Sequence, residues 1–466
     1  MAFPGFRGLP QPRVWKAAVS TAARRLLPGR ETGFEALRRL RERVDACATT
    51  GEAAASLEAS KAALAGLLGK RFGPVEAQAL ALKIVNLLLA RRELRAREAA
   101  VRSRPFGLVI DPSNVCQLAC PGCVHSPSAE ARELFDWPKA TLAEQRLARL
   151  LRLYGPAAVG VYFCNYGEPL LNRSTPALIR MAKSYLAATA LSTSLSVRQF
   201  DADAYVASGL DVMIISIDGA TQRVYERFRR NGDLELALAN VARLAESKRR
   251  RGSRTPLLSW NFLAFEHNAH EIPAAERMAR KLGVNVFRVV QPFDVTWDDP
   301  DIRPAAVRPY VRRLDWTSIS NAPENWNPFP ENVDAAAIRA AFENPVEAGA
   351  AGEAPPGPGH TCHWLYQNMV MDAKGRILPC CGAPGQDGRL VFGSFDAEGC
   401  DPFDSPRYRQ ARAFFAGGSG DDVQCGGCEW DHTAVSIGEA EIRRYFRAAH
   451  PGFFDRRSLE LLSVTQ

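Results

Sequence analysis

The chain's densest chemistry lies in eight consecutive residues, Cys116, Gln117, Leu118, Ala119, Cys120, Pro121, Gly122 and Cys123. Three thiols fall in a C-x3-C-x2-C spacing, directly after the apolar run Phe106 to Ile110. Thiolates this close on one loop can wrap three corners of an iron–sulfur cube, where ferredoxin-type runs supply four cysteines. With three, one iron keeps an open position, as catalytic zinc sites keep one position free for chemistry. Two other uses fit the same residues: a zinc ion with His125 as fourth ligand, or buried, unreactive thiols.

The elements around this loop follow a simple rhythm. Short apolar runs alternate with amphipathic helical stretches: strands at Leu108 to Ile110, Val159 to Phe163, Leu191 to Val197, Val212 to Ile217, Leu257 to Phe265 and Val284 to Val290. Helices between them are expected at Leu142 to Leu153, Thr175 to Leu186, Ala202 to Ala207, Thr221 to Ser247 with a break near Asn231-Gly232, and Ile272 to Leu282. Strand–helix alternation implies parallel units with right-handed crossovers. Six units fall short of the eight of a closed barrel. The fold class expected is therefore α/β, a partial (β/α)6 TIM-like barrel over residues 105–293.

Active sites of parallel α/β folds sit at the carboxyl ends of the strands. The polar insertions of this chain lie there. The cysteine loop follows the first strand. Asn165-Tyr166-Gly167-Glu168-Pro169 follows the second, and Ser216-Ile217-Asp218-Gly219 ends the fourth. Alone, the second is a turn and the third a helix cap; their shared location points to one site.

Flanking regions differ in character. Residues 1–104 read as an Ala/Arg/Leu-rich helical appendage, with helices at Arg13 to Leu27, Phe34 to Cys47, Ala53 to Leu68 and Pro74 to Ala99. Residues 294–359 are Pro-rich and read as a connector with a short helix around Ala335 to Phe342. Residues 360–466 hold a hairpin, Gln367 to Met371 and Arg376 to Leu378 around Asp372-Ala373-Lys374-Gly375. A helix from Ala434 to Ala448 is expected in the tail.

The 466 residues are 46% hydrophobic and 24% charged, which allows a large core. A net charge of +8 suits an anionic substrate, nucleic acid or a membrane surface. The arginines are dispersed, however, and Lys248 to Arg251 reads as a solvated helix end, so no nucleic-acid partner is expected. The N-terminus has no continuous apolar leader segment, and no run reaches the ~18 apolar residues of a membrane span. Eleven cysteines without a secretory leader are expected to be reduced, in a cytoplasm, and available to metal.

On these residues the chain resembles the radical S-adenosylmethionine (radical SAM) enzymes, from about Phe106 to Phe293. The resemblance implies that Cys116, Cys120 and Cys123 bind a [4Fe–4S] cluster whose open iron is chelated by the amino and carboxylate groups of S-adenosylmethionine. Tyr166, Gly167, Glu168 and Pro169 look like the family's Gly-Gly-Glu-Pro motif, which contacts the methionine amino group; Tyr166 stands where a glycine is usual. Ser216 and Asp218 resemble ribose-contacting residues, and Asn261 on the fifth strand is a further cofactor contact. Arg229 or Arg230 resembles the arginine that pairs with the methionine carboxylate, a match for a guanidinium fork. Gly122 stands where the family often has an aromatic residue on the adenine.

Cys362, Cys380, Cys425 and Cys428, with a C-x17-C spacing, a gap and a C-x2-C, resemble the SPASM/twitch extension, which binds auxiliary [4Fe–4S] clusters. Four ligands imply one auxiliary cluster; Cys381 competes with Cys380, and a four-thiolate zinc site uses the same residues. The activity implied is an oxidoreductase: reductive cleavage of S-adenosylmethionine, hydrogen abstraction by the 5′-deoxyadenosyl radical, and transfer of an electron to the auxiliary cluster. A flavodoxin- or ferredoxin-type reductant is the expected partner. A small polar sugar- or aminocyclitol-like substrate is favoured. The alternatives are a ribosomal-peptide maturase that crosslinks or epimerises, or a non-catalytic metal-binding adaptor with two zinc sites. No acid/base residue is assigned.

Overall fold

A computed structural model of the chain describes residues 33–128, 139–292, 299–314, 332–344, 361–380, 391–395, 401–417 and Leu462. Three helices come first: α1 (Gly33–Ala46), α2 (Thr50–Leu68) and α3 (Pro74–Ala96). Thr49 caps α2 by accepting a hydrogen bond from the Glu52 amide, and Glu52 accepts one from the Ala48 amide in return. Such reciprocal caps satisfy amides that the helix leaves unpaired. Pro74 starts α3, where its missing N–H costs nothing. Helix α3 is buried along most of its length, with Leu80, Ile84, Leu87 and Leu88 in the core and Lys83, Asn86, Arg91 and Glu93 buried beside them.

The alternating core then runs β1 (Gly107–Ile110), α4 (Glu144–Tyr154), β2 (Gly160–Phe163), α5 (Thr175–Ser184), β3 (Ala188–Thr193), α6 (Ala202–Ala207), β4 (Val212–Ser216), α7 (Gln222–Phe228), α8 (Leu234–Arg250), β5 (Leu257–Leu263), α9 (Ile272–Lys281) and β6 (Val286–Val290). Strands β1 to β6 pair in chain order and in parallel. The remaining described elements are β7 (Tyr310–Arg313), α10 (Ala335–Glu343), α11 (Trp364–Gln367), β8 (Asn368–Met371), β9 (Arg376–Leu378), β10 (Gly393–Ser394) and α12 (Pro406–Phe415). One sheet runs β10-β9-β8-β1-β2-β3-β4-β5-β6-β7. It is open, with a mixed edge on each side of a parallel centre, the partial-barrel architecture expected.

Three details differ from the sequence expectation. Strand β3 begins and ends earlier than Leu191 to Val197, because Leu195 turns left-handed at φ 55° and takes the chain out of the sheet. Residues 294–359 hold a strand as well as a helix: β7 pairs antiparallel with β6. The C-terminal hairpin is not separate from the barrel sheet, since β8 pairs parallel with β1 from Gly107↔Asn368 to Ile110↔Met371. The expected break near Asn231-Gly232 divides α7 from α8; Asn231 has φ 65° and Asp233 caps α8 through the Leu236 amide.

Helix α3 is tied to the floor of the barrel by Lys83. Its fully buried ammonium donates to the carbonyls of Gly155, Pro156, Ala158 and Tyr185 at 3.5, 3.3, 2.5 and 3.1 Å. The expected helices at Arg13 to Leu27 and Ala434 to Ala448 lie outside the described residues, as do Cys381, Cys400, Cys425 and Cys428.

Candidate active site

At the carboxyl ends of β1 and β2 two loops are bonded back to back. The Glu168 amide donates to the Val115 carbonyl at 2.8 Å. Gly167 faces the same loop: a Cβ built on it would lie 1.8 Å from the Ser113 carbonyl oxygen and 2.8 Å from that of Val115. No side chain fits there, so the glycine lets the Gly-Glu-Pro segment touch the cysteine loop. Beneath both lies Asp111, fully buried, with Oδ1 accepting from the Gly167 amide at 3.4 Å and Oδ2 lacking a partner. Burial pushes its pKa up to about 8, despite the amides of Gly167, Tyr166 and Asn165 that favour the charged form.

Glu168 joins β2 to β3. Its Oε1 accepts from the Thr193 hydroxyl at 2.5 Å and the Leu170 amide at 3.2 Å; its Oε2 accepts from the Ser194 amide and hydroxyl at 2.9 and 2.7 Å. Burial raises its pKa and these four donors oppose the shift. Both oxygens are thus committed to the scaffold, and what Glu168 presents to a ligand is its segment's backbone. The cysteine loop is anchored to the same strand end: the Gln117 amide nitrogen donates to the Ser194 hydroxyl and the Ser196 carbonyl at 3.2 and 2.9 Å.

From the other side α7 closes in. The Ala119 amide donates to the Arg230 carbonyl at 3.1 Å. The structure separates the two arginines: Arg229 Nε donates to Asp218 Oδ2 at 2.6 Å and its Nη1 lies 4.0 Å from Cys120 Sγ. Arg230 instead turns toward an ion pair with Asp299. Asp218 is fully buried and its second oxygen accepts from the Leu263 amide at 2.7 Å. It therefore positions Arg229, each of its oxygens accepting one hydrogen bond from the scaffold. Ser216 and Asn261 share a register position on β4 and β5, and both are half-buried. Arg288 continues that row on β6.

The three thiols are unpaired with one another in any disulfide. Cys120 is buried and Cys116 and Cys123 half-buried, inside an apolar collar of Leu118, Phe228, Phe265 and Ile302. Burial pushes the Cys120 thiol up to about 12, while the nearby Arg229 guanidinium pulls the other way. Such thiols hold protons until a metal replaces them. Three soft sulfurs, an adjacent guanidinium to balance anionic charge and a dry collar fit an iron–sulfur cluster. His125 donates through Nε2 to the Tyr166 carbonyl at 2.9 Å, so that nitrogen is already engaged in tying the two loops together. Among the described residues, no three His, Cys, Asp or Glu side chains are gathered closely enough to hold a single metal ion.

Cys362 and Cys380 lie elsewhere. Cys362 precedes α11 and β8; Cys380 follows β9, which pairs antiparallel with β8 through Val370↔Leu378. Both therefore belong to the end of β8 that lies beside the start of β1, opposite the cysteine loop.

Sequence reading missed several residues that build the site: Asp111, Gln117, Thr193, Ser194 and Ser196. The hydroxyl run Ser192-Thr193-Ser194-Leu195-Ser196 was the available signal, a string of small donors at a strand end.

Residues 110–262 match the model of the radical SAM superfamily. No curated protein matches the chain. Among solved structures, Streptococcus suis SuiB aligns at 15% identity over 75% of this chain and 77% of its own, with a TM-score of 0.44. The protein anSMEcpe with bound AdoMet aligns at 14% identity over 77% and 98%, TM-score 0.41. BtrN, in complex with AdoMet and 2-DOIA, aligns at 12% identity over 67% and 87%, TM-score 0.33. Over residues 110–262 the chain carries a radical SAM domain.

Proposed function

We propose that the chain is a radical SAM oxidoreductase in which Cys116, Cys120 and Cys123 hold a [4Fe–4S] cluster. The backbone of Tyr166 to Pro169 receives the methionine amino group of S-adenosylmethionine, Arg229 its carboxylate, and Ser216 and Asn261 the rest of the nucleoside. When bound, the cluster and S-adenosylmethionine supply an electron and a 5′-deoxyadenosyl radical that takes a hydrogen atom from the substrate. The observation that carries the reading is the convergence at one end of the sheet: a three-cysteine loop bonded to a Gly-Glu-Pro segment and to an Asp218-held arginine beside Cys120. In this reading the protein's own part is orientation and dryness. Glu168 and Gln117 lock both loops to the Thr193–Ser196 segment, and the collar around Cys120 keeps water from the cluster.

The second part of the proposal is an auxiliary [4Fe–4S] cluster on Cys362, Cys380, Cys425 and Cys428, serving as electron acceptor and making the net reaction an oxidation. It is supported by the position of Cys362 and Cys380 at one edge of the β8–β9 hairpin. A small polar substrate, sugar- or aminocyclitol-like, suits one acceptor cluster. A flavodoxin- or ferredoxin-type protein is the proposed reductant. Anaerobic reconstitution with iron, sulfide, S-adenosylmethionine and reductant tests the reading: 5′-deoxyadenosine is expected, and none from Cys120→Ala. Turnover of a peptide but of no small polar compound would replace the substrate class and leave the rest. Zinc bound without sulfide would favour the adaptor and end the enzyme proposal.

A further inference from the structure

Tyr225 has no role in the account so far, yet two motif glycines exist around it. A Cβ on Gly219 would lie 2.7 Å from the Tyr225 amide nitrogen and 2.9 Å from its Cβ; a Cβ on Gly232 would lie 2.7 Å from its Cε1 and 3.0 Å from its hydroxyl. Gly219 therefore lets the backbone of Tyr225 come close, and Gly232 leaves room for its ring and hydroxyl. The ring is fully buried, and its hydroxyl has no hydrogen-bond partner. A buried hydroxyl left unpaired is costly, so it points to a missing partner.

The surroundings say what that partner is. Arg229, Asp218, Cys120 and Glu168 are the titratable groups close enough to act on the phenol, Arg229 most strongly. Neither carboxylate lies within hydrogen-bond reach of the hydroxyl, and both are already engaged elsewhere, Asp218 with Arg229 and the Leu263 amide, Glu168 with Thr193 and Ser194. Burial also raises the phenol's pKa, which keeps it a donor. Arg229 has its Nε bonded to Asp218 and its Nη1 turned toward Cys120, which leaves the other N–H groups of the guanidinium for an incoming carboxylate. A carboxylate held by those N–H groups has lone pairs to spare, and the Tyr225 hydroxyl, on which Arg229 acts most among its charged neighbours, is a donor without a partner among the described residues.

We infer that Tyr225 is a cofactor-binding residue whose hydroxyl completes, with Arg229, the site for the carboxylate of S-adenosylmethionine; this rests on the functional reading above. The test uses the full chain, anaerobically reconstituted, with S-adenosylmethionine binding measured by equilibrium dialysis without reductant. Tyr225→Phe is expected to weaken binding about tenfold or more, as a lost bond to a charged group does, with iron per chain unchanged. With decarboxylated S-adenosylmethionine as probe, Tyr225→Phe and the unaltered protein should bind alike. Gly232→Ala, which crowds the hydroxyl, should also weaken binding of the complete cofactor. Affinity within twofold of the unaltered protein in Tyr225→Phe, or normal affinity in Gly232→Ala, overturns the inference. So does unchanged affinity with a shifted cluster potential, which would place the hydroxyl on the Cys120 thiolate instead. If the unaltered protein carries cluster iron but binds no S-adenosylmethionine, the functional reading fails and this inference falls with it.

Discussion

At the scale of single residues, the site depends on contacts with no slack. Gly167→Ala would drive a methyl into the Ser113 carbonyl, separating the two loops. The expected outcome is loss of most cluster iron, measured per chain after reconstitution, with the secondary structure retained. Arg229 and Arg230 look alike in sequence but not in space. Arg229→Gln is expected to weaken S-adenosylmethionine binding about tenfold or more, and Arg230→Gln, turned toward Asp299, by less than about threefold. Equal losses would contradict the assignment. Asp111 supplies a pH dependence. Its carboxyl is raised from 3.8 to about 8 in the fold, so the folded state binds the extra proton between those values. Stability is then highest below pH 4 for this group and is lost as pH rises toward 8. Asp111→Asn should remove that slope, leaving a higher melting temperature than the unaltered protein at pH 8 and a flatter profile from pH 6 to 8. A parallel pair of profiles would show that Asp111 does not titrate there.

At the scale of elements, most of what positions the site was legible because the apolar runs were short and their neighbours amphipathic. The strands β1, β2, β4, β5 and β6 fall where the apolar runs fall. Strand β3 begins three residues and ends four residues before the expected run, because Leu195 and Val197 look like a continued strand, while the left-handed turn at Leu195 is invisible in composition. Strand β7 was hidden for another reason: Tyr310-Val311-Arg312-Arg313 is an exposed edge strand, with Val311 56% exposed, and carries no alternating pattern. The appendage was read as helical but its purpose was not. Lys83 shows that α3 is the barrel's floor, its ammonium held by four carbonyls of loops that start β2 and β3. Lys83→Met would remove the buried donor these carbonyls share and should cost about 2–4 kcal/mol of stability, read from urea denaturation of the full chain. A change under about 0.5 kcal/mol, the usual size of a surface effect, would make the appendage independent of the barrel.

At the scale of the whole molecule, the sheet links two cysteine sets along one strand. Strand β1 ends in the cysteine loop and begins beside the start of β8, where Cys362 and Cys380 lie. Four strand residues separate those ends, a rise of about 13 Å. The sequence showed both cysteine sets but not their placement, because a parallel pairing across some 260 residues between β1 and β8 leaves no local mark. If both sets hold cubes, Cys362→Ala should lower iron from about eight to about four per chain, spare S-adenosylmethionine cleavage and stop product formation. The central claim is narrower: three sulfurs hold an iron cluster with one open position for a sulfonium nucleotide. The most direct measurement is electron paramagnetic resonance of the anaerobically reduced protein, with and without S-adenosylmethionine. The account predicts a [4Fe–4S] signal whose g-values shift when S-adenosylmethionine is added, and no shift of that kind in Cys120→Ala. A reduced-cluster signal that ignores S-adenosylmethionine, or a sample whose Cys116, Cys120 and Cys123 bind zinc, would contradict it.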